Sequence, residues 1–143
     1  PQKQLLLLEV RRELDRLMAR TGAVRASTDE REQFKVIADN MEATATARDG
    51  VAFMRHDVKF NALLAAACHN EYAKRAMRLI NGLSRRFWFM HFQRSADLPL
   101  CARLHANMAR AIGAGDPEGA AIAADALVDY VEIFTRATID IAP

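Results

Sequence analysis

Residues 101–134 read "CARLHANMARAIGAGDPEGAAIAADALVDYVEIF". In the first part Cys101, Leu104, His105, Met108 and Ile112 recur at steps of three and four, the spacing of one helix face. The same spacing resumes after the break with Ala120, Ala124, Leu127, Val131 and Phe134. Between the two, Gly115 supplies a natural C-terminal stop, Asp116 an N-cap and Pro117 the first helical position. Two helices joined by so short a break fold back on each other, so this stretch sets an antiparallel helical arrangement.

Working outward, the same reading accounts for the rest of the chain. Gln4 to about Arg20 is a first helix with Leu7, Val10, Leu14, Leu17 and Met18 as its apolar stripe, ended by Gly22. Ser27 and Glu30 match a capping box ahead of Phe34, Ile37, Ala38, Met41 and Ala45. A third helix runs from Val51 to about Cys68. Asn70 caps a fourth, whose stripe passes through Ala73, Met77, Ile80, Leu83 and Phe87 to about Phe92, with a bend expected near Gly82. Asp97 caps the fifth. No segment alternates with period two. The fold class is therefore all-α, an antiparallel bundle of about six helices forming a single domain.

At 143 residues with 51% apolar and 27% charged side chains, the chain buries a core large enough to fold without disulfide or metal. A net charge of +2, with Lys and Arg interleaved among Asp and Glu, supplies no basic field of the kind nucleic-acid-binding domains carry. Cys68 and Cys101 lie in apolar helical patterns without metal-type spacing, which reads as buried free thiols in a reducing cytoplasm. "LLLLEV" is too short to cross a bilayer and is followed at once by charge, so no membrane span is expected.

Three polar residues break the apolar faces. Met54, Asp57, Asn61, Leu64 and Cys68 follow one helical stripe, so Asp57 and Asn61 sit on or beside it, and His105 interrupts the stripe of the fifth helix. A buried carboxylate without a partner would cost several kcal/mol, comparable to the whole stability of a small domain, so Asp57 must be answered by something. Converging on one cavity, Asp57, Asn61 and His105 could hold a divalent metal or a carboxylate-bearing ligand. An Asp57–His105 hydrogen bond would satisfy both groups with no ligand at all. "SRRFWFMHF", residues 84–92, sets Arg85 and Arg86 among aromatics, as core, subunit interface, cation–π contact or binding wall. Arg11 and Arg12 read as a solvated face with ion pairs to Glu9, Glu13 and Asp15. No nucleophile–base pair, phosphate loop or metal-type cysteine cluster is present. A small enzyme using Asp57 and His105 as an acid–base pair would lack a third catalytic group, so the chain is not read as an enzyme.

Four stretches then carry a resemblance. "EVRRELDRLMART" is similar to an E-x-R-x-x-L-E opening helix, "DVKFNALLAAACHN" to D-x-x-F-H followed by small residues and Asn, and "LHANMARAIGAGDPEGA" to E-H-x-x-I-x-x-A-I-x-x-G-D. A closing amphipathic helix completes the set. In this order and spacing they resemble the ligand-binding domain, called FCD, of FadR-type bacterial transcription regulators of the GntR superfamily. The resemblance implies a cytoplasmic, homodimeric regulator whose helical domain senses a small organic acid, and which reads DNA through a winged helix-turn-helix domain ahead of these residues. It also implies a divalent metal site. Position by position, Asp57 matches the family's Asp and His105 one His, while Asn61 stands where a further His ligand belongs and the last His position falls at or near Leu127. Asp57 and His105 alone would hold a divalent metal weakly or not at all. The resemblance thus leaves Arg11, Asp57, Asn61 and His105 as candidate ligand-binding residues in a pocket among the third, fifth and sixth helices. Asp125, Asp129 and His56 are the reserve if a ligand has been misplaced. The competing picture is a ligand-free dimerisation module with a closed apolar centre, distinguished by whether a cavity of several hundred cubic ångströms exists.

Overall fold

The computed structural model describes residues 2–141, and these form six helices with no strand among them. They are α1 (Gln2–Arg25), α2 (Thr28–Ala47), α3 (Gly50–Ala67), α4 (Glu71–Ser95), α5 (Leu98–Gly113) and α6 (Pro117–Ile141). The fold is an all-α bundle. Its closest packing is of α2 along α5, α1 along α6, and α5 beside α6. Among the described residues, no helix is long and apolar enough to cross a membrane.

Local chemistry sets the boundaries. Ser27 and Glu30 exchange a reciprocal pair of cap bonds, with Ser27 N donating to Glu30 Oε1 at 2.8 Å and Glu30 N to Ser27 Oγ at 3.1 Å. Asp49, Asn70 and Asp97 accept from the first turns of α3, α4 and α5, and Asp116 Oδ1 accepts from Gly119 N at the head of α6. Gly115 takes φ +71°, the left-handed turn that lets the chain reverse between α5 and α6.

Two aspects of α1 depart from the sequence reading. The helix does not end at Gly22 but continues to Arg25. Gly22 is buried where a Cβ would lie 3.2 Å from Leu64 Cδ1, so the missing side chain serves the close approach of α3 rather than a helix stop. The buried face is also rotated, running through Leu8, Asp15 and Met18, while Val10 and Leu17 are exposed. Arg11 pairs with Asp15 at 3.0 Å, so a polar pair occupies the inward face that apolar spacing had assigned to leucine and valine. Arg12 and Arg16 reach across to α6, to Asp129 at 2.6 Å and Asp125 at 2.9 Å, in place of the local pairs expected for Arg12.

The core consists of two adjoining apolar clusters. The larger centres on Phe34 and Phe60, and the smaller gathers Phe53, Cys101, Tyr130 and Phe134. Cys68 and Cys101 are both free and buried. In α4, Leu83 is exposed although the spacing placed it inward, and the helix runs uninterrupted through Gly82.

The glycines differ in what surrounds them. A Cβ at Gly113 would lie 3.0 Å from the Arg31 carbonyl oxygen, whereas one at Gly82 would meet nothing within 4 Å. Gly113→Ala should therefore destabilise by about 1–3 kcal/mol through overpacking against backbone. Gly82→Ala should stabilise by about 0.5–1 kcal/mol through the lost backbone entropy of the unfolded chain. Urea midpoints moving in opposite directions for the two variants would bear this out.

Candidate ligand cavity

Where the two core clusters meet, a cavity opens among α1, α3, α4, α5 and α6. Arg11 from α1, Asp57 and Asn61 from α3, and His105 from α5 all line it, as does Leu127 from α6. The wall contributed by α4 includes Arg85 and Trp88 of the stretch that the sequence offered as a binding wall among other readings, whereas Asn81 had not been singled out. It presents Asn81, Ser84, Arg85 and Trp88, at spacings of three and four, to the same space. The signal was available in the sequence: the buried stripe Ala73, Met77, Ile80 continues to Ser84, so the inward face of α4 turns polar halfway along.

Asp57 is answered by His105. Asp57 Oδ1 lies 3.2 Å from His105 Nε2. The other ring nitrogen, Nδ1, lies 2.8 Å from the Cys101 carbonyl oxygen, which can only accept, so Nδ1 carries a proton and Nε2 is the atom turned to Asp57. Phe53 and Phe60 meet the imidazole edge to face at centroid distances of 5.2 and 6.0 Å and fix the ring plane. Burial works against charge on Asp57, and His105, with Arg11 and Arg85 behind it, outweighs burial and holds the carboxyl below its usual range. Burial likewise opposes charge on His105, but Cys101 and Asp57 hold the imidazole well above its ordinary value. Burial pushes the Cys101 thiol up, so the carboxylate is the partner that supplies the charge.

The pairing leaves much of the lining unanswered. Asp57 Oδ1 is met by His105 at ion-pair distance, though not in hydrogen-bond alignment, whereas Asn81 Oδ1, Ser84 Oγ, Arg85 Nε and Trp88 Nε1 are buried without any hydrogen-bond partner among the described residues. Four such atoms around one small space are unusual, because buried polar groups are nearly always paired. The cavity volume is about 60 Å³. That is well under the several hundred cubic ångströms expected from the sequence for a sensor, and it leaves room for roughly four waters or an acid of a few heavy atoms.

The donor set does not fit a tightly held metal. The four positions that the family resemblance marks as ligands all face the cavity, but Asn61 is a poor ligand and Leu127 none. No three His, Cys, Asp or Glu side chains converge among the described residues. The reserve ligands offer no replacement, since Asp125 and Asp129 are engaged with Arg12 and Arg16 on the α1–α6 seam, and His56 does not line the cavity.

This geometry defines an all-helical domain enclosing a small cavity lined by both polar and apolar side chains. The FCD domain model matches residues 6–130, and the chain belongs to that family, the C-terminal domain of GntR/FadR-type regulators. FCD domains are regulatory domains of transcription factors and not a known family of enzymes. No curated protein matched the sequence significantly.

Proposed function

We propose that this chain is the effector-sensing domain of a bacterial transcription regulator and that it binds a small organic acid in the cavity between α1, α3, α4, α5 and α6. The observation that carries this reading is the set of orphaned buried polar atoms, on Asn81, Ser84, Arg85 and Trp88, around a single space. A closed dimerisation module has no use for them, and leaving each unpaired costs about 1–3 kcal/mol. A bound acid recovers that loss and, by binding one arrangement of the domain better than another, biases the regulator. In the parent protein the domain works in the cytoplasm as a homodimer joined to a winged helix-turn-helix domain that reads two DNA half-sites.

Acid–base catalysis is the weaker reading. His105 Nδ1 is committed to a carbonyl, Nε2 to Asp57, and the neighbouring thiol is held neutral, so no activated nucleophile faces the cavity.

A thermal-shift screen of small organic acids, fatty acids and divalent metals tests the proposal. A small acid at about 100 times its Kd should add about 2.7 kcal/mol of stability, several degrees in Tm for a domain of this size. Complete indifference of Tm to every acid, with and without added metal, would reject the sensor reading.

A further inference from the structure

The cavity's charges are unevenly answered. Arg11 is paired with Asp15 at 3.0 Å, and Asp57 lies 3.2 Å from His105. Arg85 makes no ion pair among the described residues, and its Nε is buried without a partner. It lines the same space as Ser84 and Trp88, whose Oγ and Nε1 are also unpartnered, and its side chain also borders an open groove beside Arg86, Phe89 and Met90. A guanidinium flanked by a hydroxyl and an indole N–H, all three able to donate, is a receptor for one carboxylate. One turn before them on α4 the Asn81 amide oxygen is an unanswered acceptor, and it calls for a donor on the same ligand.

We propose that Arg85 takes over the anion-binding role that a metal would otherwise fill, and that the ligand is a small hydroxy-monocarboxylate, its carboxylate on Arg85, Ser84 and Trp88 and its hydroxyl toward Asn81. This rests on the sensor reading above and deepens it. A single uncompensated guanidinium favours one carboxylate over two or three, because each further charge would be buried unpaired. A volume of about 60 Å³ limits the ligand to a few heavy atoms. Binding by direct ion pair also makes the site independent of divalent metal.

Trp88 is the only tryptophan in the chain and lines the site, so its emission reports occupancy directly. The experiment titrates chelator-treated protein with glycolate, acetate and citrate, following Trp88 fluorescence and, in parallel, calorimetry. Glycolate should bind without metal, acetate about tenfold more weakly for want of the hydroxyl, and citrate not at all. Arg85→Gln should weaken glycolate by at least about tenfold, the loss of one charge-assisted contact, and Arg85→Lys should recover part of it. Circular dichroism and Tm establish that both variants are folded, and the partial rescue by Lys separates an anion contact from a packing role. Glycolate binding that appears only when divalent metal is added, or equal binding by wild type and a folded Arg85→Gln variant, would overturn the Arg85 assignment while leaving the sensor reading intact. Citrate binding more tightly than glycolate would overturn the monocarboxylate assignment. If no acid binds under any condition, the sensor reading itself fails.

Discussion

Asn61→His combined with Leu127→His should turn this cavity into a transition-metal site. Both positions face the space that holds Asp57 and His105, so the substitutions restore two nitrogen ligands to a pocket that already presents a carboxylate and an imidazole. His105 is oriented for the task, because its Nδ1 proton is fixed on the Cys101 carbonyl and Nε2 faces inward. A group that merely hydrogen-bonds to a metal ligand is worth about 10–100-fold in affinity, so two restored ligands should raise Zn²⁺ or Ni²⁺ affinity by at least about 100-fold. Competition against a metallochromic chelator measures the gain, and elemental analysis of unmodified protein purified without chelator should find little transition metal. Near-stoichiometric metal in the unmodified protein, or no gain in the double variant, would show that a ligand has been misplaced.

Phe60→Ala should cost about 3–5 kcal/mol of stability, the range for removing a large aromatic from a packed core. Phe60 is fully buried, packs edge to face against Phe34 at 6.0 Å, and stands beneath His105 at the same centroid distance. Its loss opens space on one side of the imidazole, so ligand affinity should fall along with Tm. Denaturant unfolding gives the first effect. A loss below about 1 kcal/mol would mean that the core around the cavity is far looser than close packing implies.

The sequence carried the helices well where their ends are written in neighbouring residues. Ser27 and Glu30 cap each other within one turn, and Asn70, Asp97 and Asp116 each bond to N–H groups two or three positions on, so the information is local. Gly22 was misread because its reason is Leu64, 42 positions away, and a close approach between helices leaves no mark beside the glycine. The α1 face was misread for a related reason. Apolar spacing assumes that charge points outward, whereas Arg11 and Asp15 neutralise each other on the inward side.

The cavity was legible in part on the same physical grounds. Asp57 and His105 stood out because a charged and a titratable group interrupt otherwise apolar stripes, and the fold brings them to 3.2 Å. Arg85 was noticed only as one of two arginines among aromatics, and Asn81 and Ser84 gave no such contrast, since much of α4 is exposed and polar, and a polar residue there looks solvated until the packing of its neighbours is known. Trp88 was seen as one of several aromatics, but its unpartnered Nε1 could be known only from the structure.

The central claim is that this cavity holds a small acid directly, without a resident metal. Its most direct test is a crystal structure of protein purified without chelator and grown with glycolate, with anomalous data collected at the zinc, nickel and manganese edges. The account predicts ligand density in the cavity against Arg85, Ser84 and Trp88 and no anomalous peak near Asp57 and His105. An anomalous peak bridging Asp57 Oδ1 and His105 Nε2 with the acid seated on it would contradict the account, as would a cavity filled with ordered water while the acid binds elsewhere.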